Sequence, residues 1–299
     1  MDPEERSTAP FLALIPAQLL FGSLPVIGKV VLAVIPPMSL VGIRVGITAV
    51  ILIAIQALRR RLWLKEKGDY WRVAVLSLFG VVLNQLFFIS GLSLTTASNT
   101  SLLAVMIPVF ALTVGSIAGF EKLTWLKIVG IVFAAAGVIL LIDPRKASFS
   151  SQTTIGDLFI IINCLAYGIY VATSKSVITR NGTFRSMMWV FIFASFVCIP
   201  LGAVSLSRID LAAVDTRIWL IAVYIAIGAT AAPYLLNAWA LSKVDPSTVA
   251  VFVYLQPLIG FALALMFLGE SIGPIFIGAA AMIFAGVFLV TRKFVPVET

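Results

Sequence analysis

Residues 98–121 read SNTSLLAVMIPVFALTVGSIAGFE, and residues 247–270 read STVAVFVYLQPLIGFALALMFLGE. The two segments lie 149 positions apart, and each begins with a serine, carries a proline near its middle and ends with a glutamate. The alignment extends without a gap over residues 92–141 and 241–290. Apolar helices resemble one another by composition, but matched proline and glutamate positions do not follow from composition. The pattern therefore predicts an internal repeat.

The whole chain has the composition of a membrane protein. Of its 299 residues, 61% are hydrophobic and 11% are charged, whereas a soluble domain has about 25% charged residues. The apolar residues are spread along the whole chain rather than gathered in one segment. This composition predicts a multi-pass helical protein whose main partner is the lipid bilayer.

Ten stretches are long and apolar enough to cross a bilayer as helices, which takes about 20 residues. The predicted spans are Phe11–Val31, Met38–Leu58, Val73–Leu94, Thr100–Ala118, Leu126–Ile142, Leu158–Val177, Ser186–Leu206, Ile218–Leu241, Thr248–Phe267 and Pro274–Thr291. Because a repeat of five spans is odd-numbered, the second copy enters the membrane upside down. We therefore predict an all-α membrane protein with ten transmembrane helices in two inverted five-helix repeats. The repeats are residues 1–142 and 158–299, and residues 143–157 form a periplasmic linker.

The distribution of positive charge predicts the orientation. With the N-terminus inside, fifteen Lys and Arg residues fall on the cytoplasmic side and four on the opposite side. Short cytoplasmic loops of membrane proteins are enriched in these residues. Both termini are thus predicted to be cytoplasmic, and we expect a location in the bacterial inner (plasma) membrane. The net charge of +8 is attributed to these loops, so no nucleic-acid partner is expected.

Several kinds of chemistry are excluded by the residue types present. The chain has no His, and Cys164 and Cys198 stand alone in apolar runs, which excludes a Ser/His hydrolase and argues against a zinc site. No GxxxxGK[ST] phosphate loop is present. All 13 acidic residues fall in predicted termini, loops or span ends, so no mid-membrane carboxylate is available to carry a proton. We expect neither an enzyme nor a metal or cofactor site, and transport without ATP.

Amides and aromatic rings inside the spans are the candidate substrate-binding residues. An unpaired amide in hydrocarbon is costly, so these side chains should face the interior of the bundle. They are Gln18, Phe21, Asn84, Gln85, Phe88, Asn163, Tyr167, Tyr170, Tyr234, Asn237, Tyr254 and Gln256. Such groups can bind an amino or carboxylate group while the rings cover an apolar side chain. For any one of them, hydrogen bonding between helices is the alternative interpretation.

Two prolines lie near the middle of their predicted spans, at Pro108 and Pro257. A proline inside a helix removes one backbone hydrogen bond and favours a kink. Their matched positions in the two repeats predict hinges that move during transport, and a static kink is the alternative.

Four charged residues near span ends are predicted to pair between the repeats. On the predicted topology, Arg44 can reach Glu270 near the outer face, and Arg185 can reach Glu121 near the cytoplasmic face. Charges near the ends of spans generally form pairs or extend to the interface. We expect the two pairs to act as latches or as structural clamps.

The ten spans in two halves, with Arg44, the pair Pro108 and Glu121, and Pro257 with Gly269-Glu270, resemble the EamA-type permeases of the drug/metabolite transporter superfamily. The resemblance covers nearly the whole chain. It implies ten helices around a central cavity and the export of amino acids or related metabolites.

We therefore expect a secondary transporter that exports small amphiphilic metabolites by alternating access, as a monomer or homodimer. Amino acids, aromatic or large and apolar, are the candidate substrates. Metabolite uptake, drug efflux and a non-transporting scaffold or receptor are the alternatives.

Overall fold

The computed structural model describes residues 8–142, 151–259 and 274–291. Within these ranges the regular structure is entirely helical. The helices, numbered along the chain, are α1 (Ala9–Leu32), α2 (Pro37–Leu58), α3 (Lys67–Leu94), α4 (Ala97–Leu103 followed by Met106–Ile117), α5 (Trp125–Ile142), α6 (Ser151–Asn181), α7 (Thr183–Leu206), α8 (Thr216–Leu241), α9 (Pro246–Ile259) and α10 (Pro274–Thr291).

The helices agree with the predicted spans in place and character. In the described part of the chain, seven of them, α1 to α4 and α6 to α8, are long and apolar enough to cross a membrane. The shorter apolar helices α5, α9 and α10 occupy the places of the remaining predicted spans. The molecule is thus an all-helical, multi-pass membrane protein, while ten crossings and cytoplasmic termini stay predictions. Of the predicted linker, residues 151–157 begin helix α6, and residues 143–150 lie outside the described residues.

Helices with the same place in the two predicted halves make matching contacts. Helix α2 packs against its counterpart α7, and α5 packs against its counterpart α10. Helix α1 packs against α8, and the counterpart contact joins α6 to α3. The first two contacts each join a helix to its own counterpart, and the last two contacts are equivalent to each other. The pattern of contacts therefore stays the same when the two halves are interchanged.

Glycines permit the closest of these approaches. A Cβ atom added to Gly42 in α2 would lie 2.9 Å from the Cα atom of Gly202 in α7. One added to Gly137 in α5 would lie 2.9 Å from the carbonyl oxygen of Ala279 in α10. Such contacts between small residues hold helices together in a membrane, where burial from water provides no driving force.

Helices α3 and α8 each contain a π-helical turn in the middle of the span. The turns are Leu78–Leu83 and Ile227–Ala231, and they begin 149 residues apart. In α8 the turn is followed by Pro233, which has no N–H to donate to the carbonyl group of Ala229 and so favours a widened turn. A π-helical turn leaves backbone carbonyl groups free for other donors, and both turns face the site described below.

Helices α4 and α9 are interrupted just before their prolines. Helix α4 breaks between Leu103 and Met106, and α9 passes through a 3₁₀ turn at Phe252–Tyr254. Pro108 and Pro257 cannot donate to the carbonyl groups four residues earlier, so regular helical bonding fails at these points. The helices are thus interrupted near the predicted positions, and both the kink and the hinge stay predictions.

Candidate functional site

A cavity of about 80 Å³ lies between the helices of the bundle. Seven helices line it, namely α1, α2, α3, α4, α6, α8 and α9. The lining residues are Phe21, Leu24, Arg44, Asn84, Gln85, Phe88, Thr100, Ala104, Ile107, Ile160, Asn163, Tyr167, Tyr234, Val253 and Gln256. Amides and rings thus meet on the surface of one cavity, with apolar side chains between them.

Most of the residues predicted to bind substrate lie in this lining. They are Phe21, Asn84, Gln85, Phe88, Asn163, Tyr167, Tyr234 and Gln256. The apolar and small lining residues, such as Ile107 and Val253, were not predicted. Nothing in the sequence distinguishes them from the other apolar residues of their spans.

Gln18 and Asn237 lie behind the lining and connect it. The Nε2 atom of Gln256 donates to Oε1 of Gln18 at 2.7 Å, and Nε2 of Gln18 donates to Oδ1 of Asn237 at 3.3 Å. The Nδ2 atom of Asn237 then donates to the hydroxyl oxygen of Tyr167 at 3.0 Å. This chain crosses α9, α1, α8 and α6, and it holds Gln256 and Tyr167 in fixed orientations.

A second network uses the π-helical turn of α3. The hydroxyl group of Tyr234 lies 2.8 Å from Oδ1 of Asn84 and 2.9 Å from the carbonyl oxygen of Gly80, so its single proton has two acceptors. The Nδ2 atom of Asn163 donates to the carbonyl oxygen of Asn84 at 2.8 Å. Helices α3, α6 and α8 are therefore joined at the cavity wall.

Tyr170 and Tyr254 lie outside the lining, in contacts between helices. The ring of Tyr170 packs directly on Gly80, where any side chain would overlap it. The hydroxyl group of Tyr254 donates to the carbonyl oxygen of Val105 at 2.9 Å. For these two residues the placement agrees with the alternative interpretation, hydrogen bonding and packing between helices.

Arg44 is a lining residue that the sequence predicted only as a latch. Its side chain is 2% exposed, and its Nε atom donates to Oγ1 of Thr230 at 2.9 Å. Thr230 lies in the π-helical turn of α8 and donates its own proton to the carbonyl oxygen of Ile225 at 2.8 Å. The Nη1 atom of Arg44 has no hydrogen-bond partner among the described residues. The partner predicted for it, Glu270, lies outside the described residues.

The predicted pair of Arg185 and Glu121 is wrong. Glu121 instead contacts the ammonium group of Lys127 and the hydroxyl group of Ser247, and it accepts from the backbone N–H of Ser247 at 3.0 Å. The Nε atom of Arg185 donates to the carbonyl oxygen of Arg61 at 3.2 Å. Lys127 lies in the first turn of the next helix, and Ser247 offers a free N–H at a helix start, so both satisfy the carboxylate locally.

We call Glu121, Lys127, Asp245 and Ser247 the Glu121 cluster. The ammonium nitrogen of Lys127 also lies 3.2 Å from Oδ2 of Asp245, and that of Lys175 lies 3.8 Å from Oδ1 of Asp245. The cluster therefore joins the segment after α4 to the starts of α5 and α9. Through Lys175 it also contacts the C-terminal part of α6.

A second group, the Asp157 cluster, consists of Lys29, Thr95, Asn99 and Asp157. Asp157 accepts from the hydroxyl group of Thr95 at 2.5 Å and from Nδ2 of Asn99 at 3.0 Å. Lys29 donates to the carbonyl oxygen of Thr95 at 2.6 Å. Asp157 and Lys175 are 18 residues apart on α6, or about 27 Å along the helix axis. The two clusters thus mark opposite ends of the bundle, and the cavity lies between them.

The sequence is similar to those of known membrane transporters. The model of the EamA-like transporter family matches the chain twice, over residues 8–143 and 154–292. An uncharacterized transporter of Archaeoglobus fulgidus is 28% identical over 77% of this chain and 79% of its own length. The uncharacterized transporter YetK of Bacillus subtilis is 23% identical over 97% of this chain and 88% of its own length.

The fold is also known from experiment. A crystal structure with 20% sequence identity superposes with a TM-score of 0.75, covering 95% of this chain and 96% of the other. Together, the two family matches span nearly the whole sequence, and the relatives bear the names of transporters rather than enzymes. This multi-pass membrane protein therefore belongs to the EamA-like transporter family.

Proposed function

We propose that the protein is a secondary carrier that exports small amphiphilic metabolites, with amino acids as the candidate substrates. The observation that carries the proposal is the cavity, where amide groups and aromatic rings converge between the two polar clusters. Amides can bind the polar end of a substrate, and Phe21 and Phe88 can cover an apolar side chain. A scaffold has no need of such a lining.

The internal repeat supports alternating access. The family model matches each half separately, the π-helical turns begin 149 residues apart, and the helix contacts exchange with the halves. In many secondary transporters inverted repeats rock about a substrate site near the middle of the membrane. We extend this to two inverted five-helix repeats with both termini in the cytoplasm of a bacterium. On this topology the Glu121 cluster closes the cytoplasmic end.

The driving force we propose is the substrate's own gradient. Among the lining residues that the structure describes, none is a carboxylate that could exchange a proton for substrate. The sequence has no phosphate loop for ATP. Flux should therefore follow the substrate concentration without any accompanying proton movement.

The test is counterflow in proteoliposomes that contain the purified protein and are preloaded with one amino acid at a time. Labelled substrate should accumulate transiently with aromatic or large apolar amino acids. Asn163→Leu and Gln256→Leu should reduce this accumulation about tenfold, because each removes a polar contact of the lining. The matched control is Gln56→Leu, since Gln56 is a buried amide away from the cavity that binds the carbonyl oxygen of Arg61.

Direction is tested separately in cells that express the protein. Cells loaded with a dipeptide of the substrate should release the free amino acid faster than cells with the Asn163→Leu variant. Folded protein that shows no counterflow with any amino acid would contradict the amino-acid proposal. Metabolite uptake, drug efflux and the scaffold role would then be tested in that order.

A further inference from the structure

Arg44 carries a buried positive charge that the described structure does not balance. The guanidinium group offers five N–H donors, and the described residues provide one acceptor, Oγ1 of Thr230. No carboxylate of the described residues lies within ion-pair distance of it. Burying a charge without a counter-charge is costly, so the site favours an anion.

The unsatisfied donors border the cavity. Arg44 and Gln85 both line it. The Nη1 atom of Arg44 and both polar atoms of the Gln85 side chain are buried and lack hydrogen-bond partners among the described residues. A carboxylate in this part of the cavity can accept from Nη1 of Arg44 and from Nε2 of Gln85, which would give each of these donors a partner.

The described part of the lining offers a substrate ammonium group no negatively charged partner. Arg44 is the charged residue of the described lining, and the other polar members are amides and hydroxyls. The nearest acidic side chain on α6, Asp157, is already bonded to Thr95 and Asn99. It lies six residues from Asn163, or about 9 Å along the helix. Among the lining residues that the structure describes, an ammonium group would therefore find neutral acceptors only.

We propose that Arg44 binds the carboxylate of the substrate, with Gln85 as a second donor, and that the α-ammonium group is dispensable. The inference rests on the proposed function and narrows its substrate class to small monocarboxylates with an aromatic or apolar body. Hydroxy acids are included in this class together with amino acids. The rings of Phe21 and Tyr234, packed edge to face with centroids 5.6 Å apart, belong to the wall that receives the apolar body.

The experiment uses three ligands with the same ring and different charged groups. L-phenylalanine carries both groups, phenyllactate only the carboxylate and phenethylamine only the ammonium. Binding to the purified protein is measured by calorimetry. The two carboxylates should bind within about tenfold of each other, and the amine about 100-fold more weakly, as expected for loss of a charge-assisted hydrogen bond at a buried cation.

The variant Arg44→Gln should weaken both carboxylates at least about tenfold, and Arg44→Lys should restore part of the affinity because it keeps the charge. The control Arg217→Gln removes an exposed arginine at the start of α8 and should change nothing. The melting temperature without ligand gives an independent readout. Because no carboxylate of the described residues balances Arg44, Arg44→Gln should leave the melting temperature of the ligand-free protein unchanged or raise it, and phenyllactate should no longer raise it.

The variant Glu270→Gln tests whether Arg44 binds the substrate or instead forms an ion pair with Glu270. If Arg44 serves the substrate, Glu270→Gln preserves the preference for carboxylates. The proposal is overturned if Glu270→Gln and Arg44→Gln lower the ligand-free melting temperature equally, since that result marks an ion pair. It is also overturned if phenethylamine competes as well as the acids, or if neither acid binds.

Counterflow measurements distinguish failure of the carboxylate proposal from failure of the proposed transport function. Amino-acid counterflow together with no binding of phenyllactate would overturn the carboxylate proposal and leave the carrier intact. Binding of both acids that depends on Arg44, without counterflow of any compound, would support the site and contradict transport.

Discussion

The hydroxyl group of Tyr254 donates a hydrogen bond of 2.9 Å to the carbonyl oxygen of Val105, the residue that lies 149 positions earlier in the chain. The two residues are therefore equivalent in the repeat, and each lies where its helix is interrupted before a proline. When two equivalent residues touch, any twofold axis that relates the halves passes close to both. Their neighbours Ala104 and Val253 line the cavity, so the proposed axis runs close to the cavity.

Tyr254→Phe should destabilise the protein, because it removes the hydroxyl donor from the partly buried carbonyl group of Val105. The expected loss is about 1 to 2 kcal/mol in the free energy of unfolding, seen as a lower melting temperature in detergent. Tyr224→Phe is the control, since Tyr224 is 43% exposed in the helix α8. Equal melting temperatures for the two variants would show that the bond between the repeats contributes nothing.

Pro108→Ala and Pro257→Ala should slow transport more than they reduce the amount of protein in the membrane. Each substitution restores a backbone donor next to an interrupted helix and so favours a continuous, stiffer helix. We expect the counterflow rate to fall about tenfold if the interruptions move during transport. Pro200→Ala is the control, because Pro200 lies inside α7 at an exposed position. If the counterflow rate and the amount of protein in the membrane fall by the same factor, the prolines instead form static kinks.

The places of the spans and most of the cavity lining follow from the sequence for one physical reason. Amides inside apolar spans must turn away from lipid, so residues such as Asn84, Asn163 and Gln256 converge in the interior. The position of a residue along a helix does not reveal the side of the helix on which its side chain projects. For this reason the predicted pairing of Arg185 with Glu121 was wrong. The π-helical turn places Thr230 beside Arg44, and Pro233 is a local signal for the turn but does not identify the partner of Thr230, which lies on a distant helix.

Glu121→Gln should weaken the bundle at the end where the Glu121 cluster lies. The side chain of Glu121 is buried and contacts Lys127 and Ser247, and removing its charge leaves Lys127 with the more exposed Asp245 as its acidic partner. We expect a loss of about 1.5 to 3 kcal/mol in the free energy of unfolding, as for hydrogen bonds to a charged group, and faster leakage of preloaded substrate. Arg185→Gln is the control and should have little effect, because the hydrogen bond of Arg185 within the described ranges goes to a backbone carbonyl group at an exposed site. A larger loss of stability for Arg185→Gln than for Glu121→Gln would contradict this prediction and favour the pairing of Arg185 with Glu121.

Gly286→Leu should disrupt the contact between α5 and α10, whereas Gly278→Leu on the same helix should be tolerated. A Cβ atom at Gly286 would overlap the carbonyl oxygen of Gly130 and would lie 2.6 Å from the Cβ atom of Ala134, so the helices must move apart. At Gly278 an added Cβ atom meets nothing within 4 Å. Overpacking of this kind costs about 1 to 3 kcal/mol, which should appear as a lower melting temperature for Gly286→Leu alone. Since both variants add the same apolar side chain, equal melting temperatures would mean that α5 and α10 do not depend on close backbone contact.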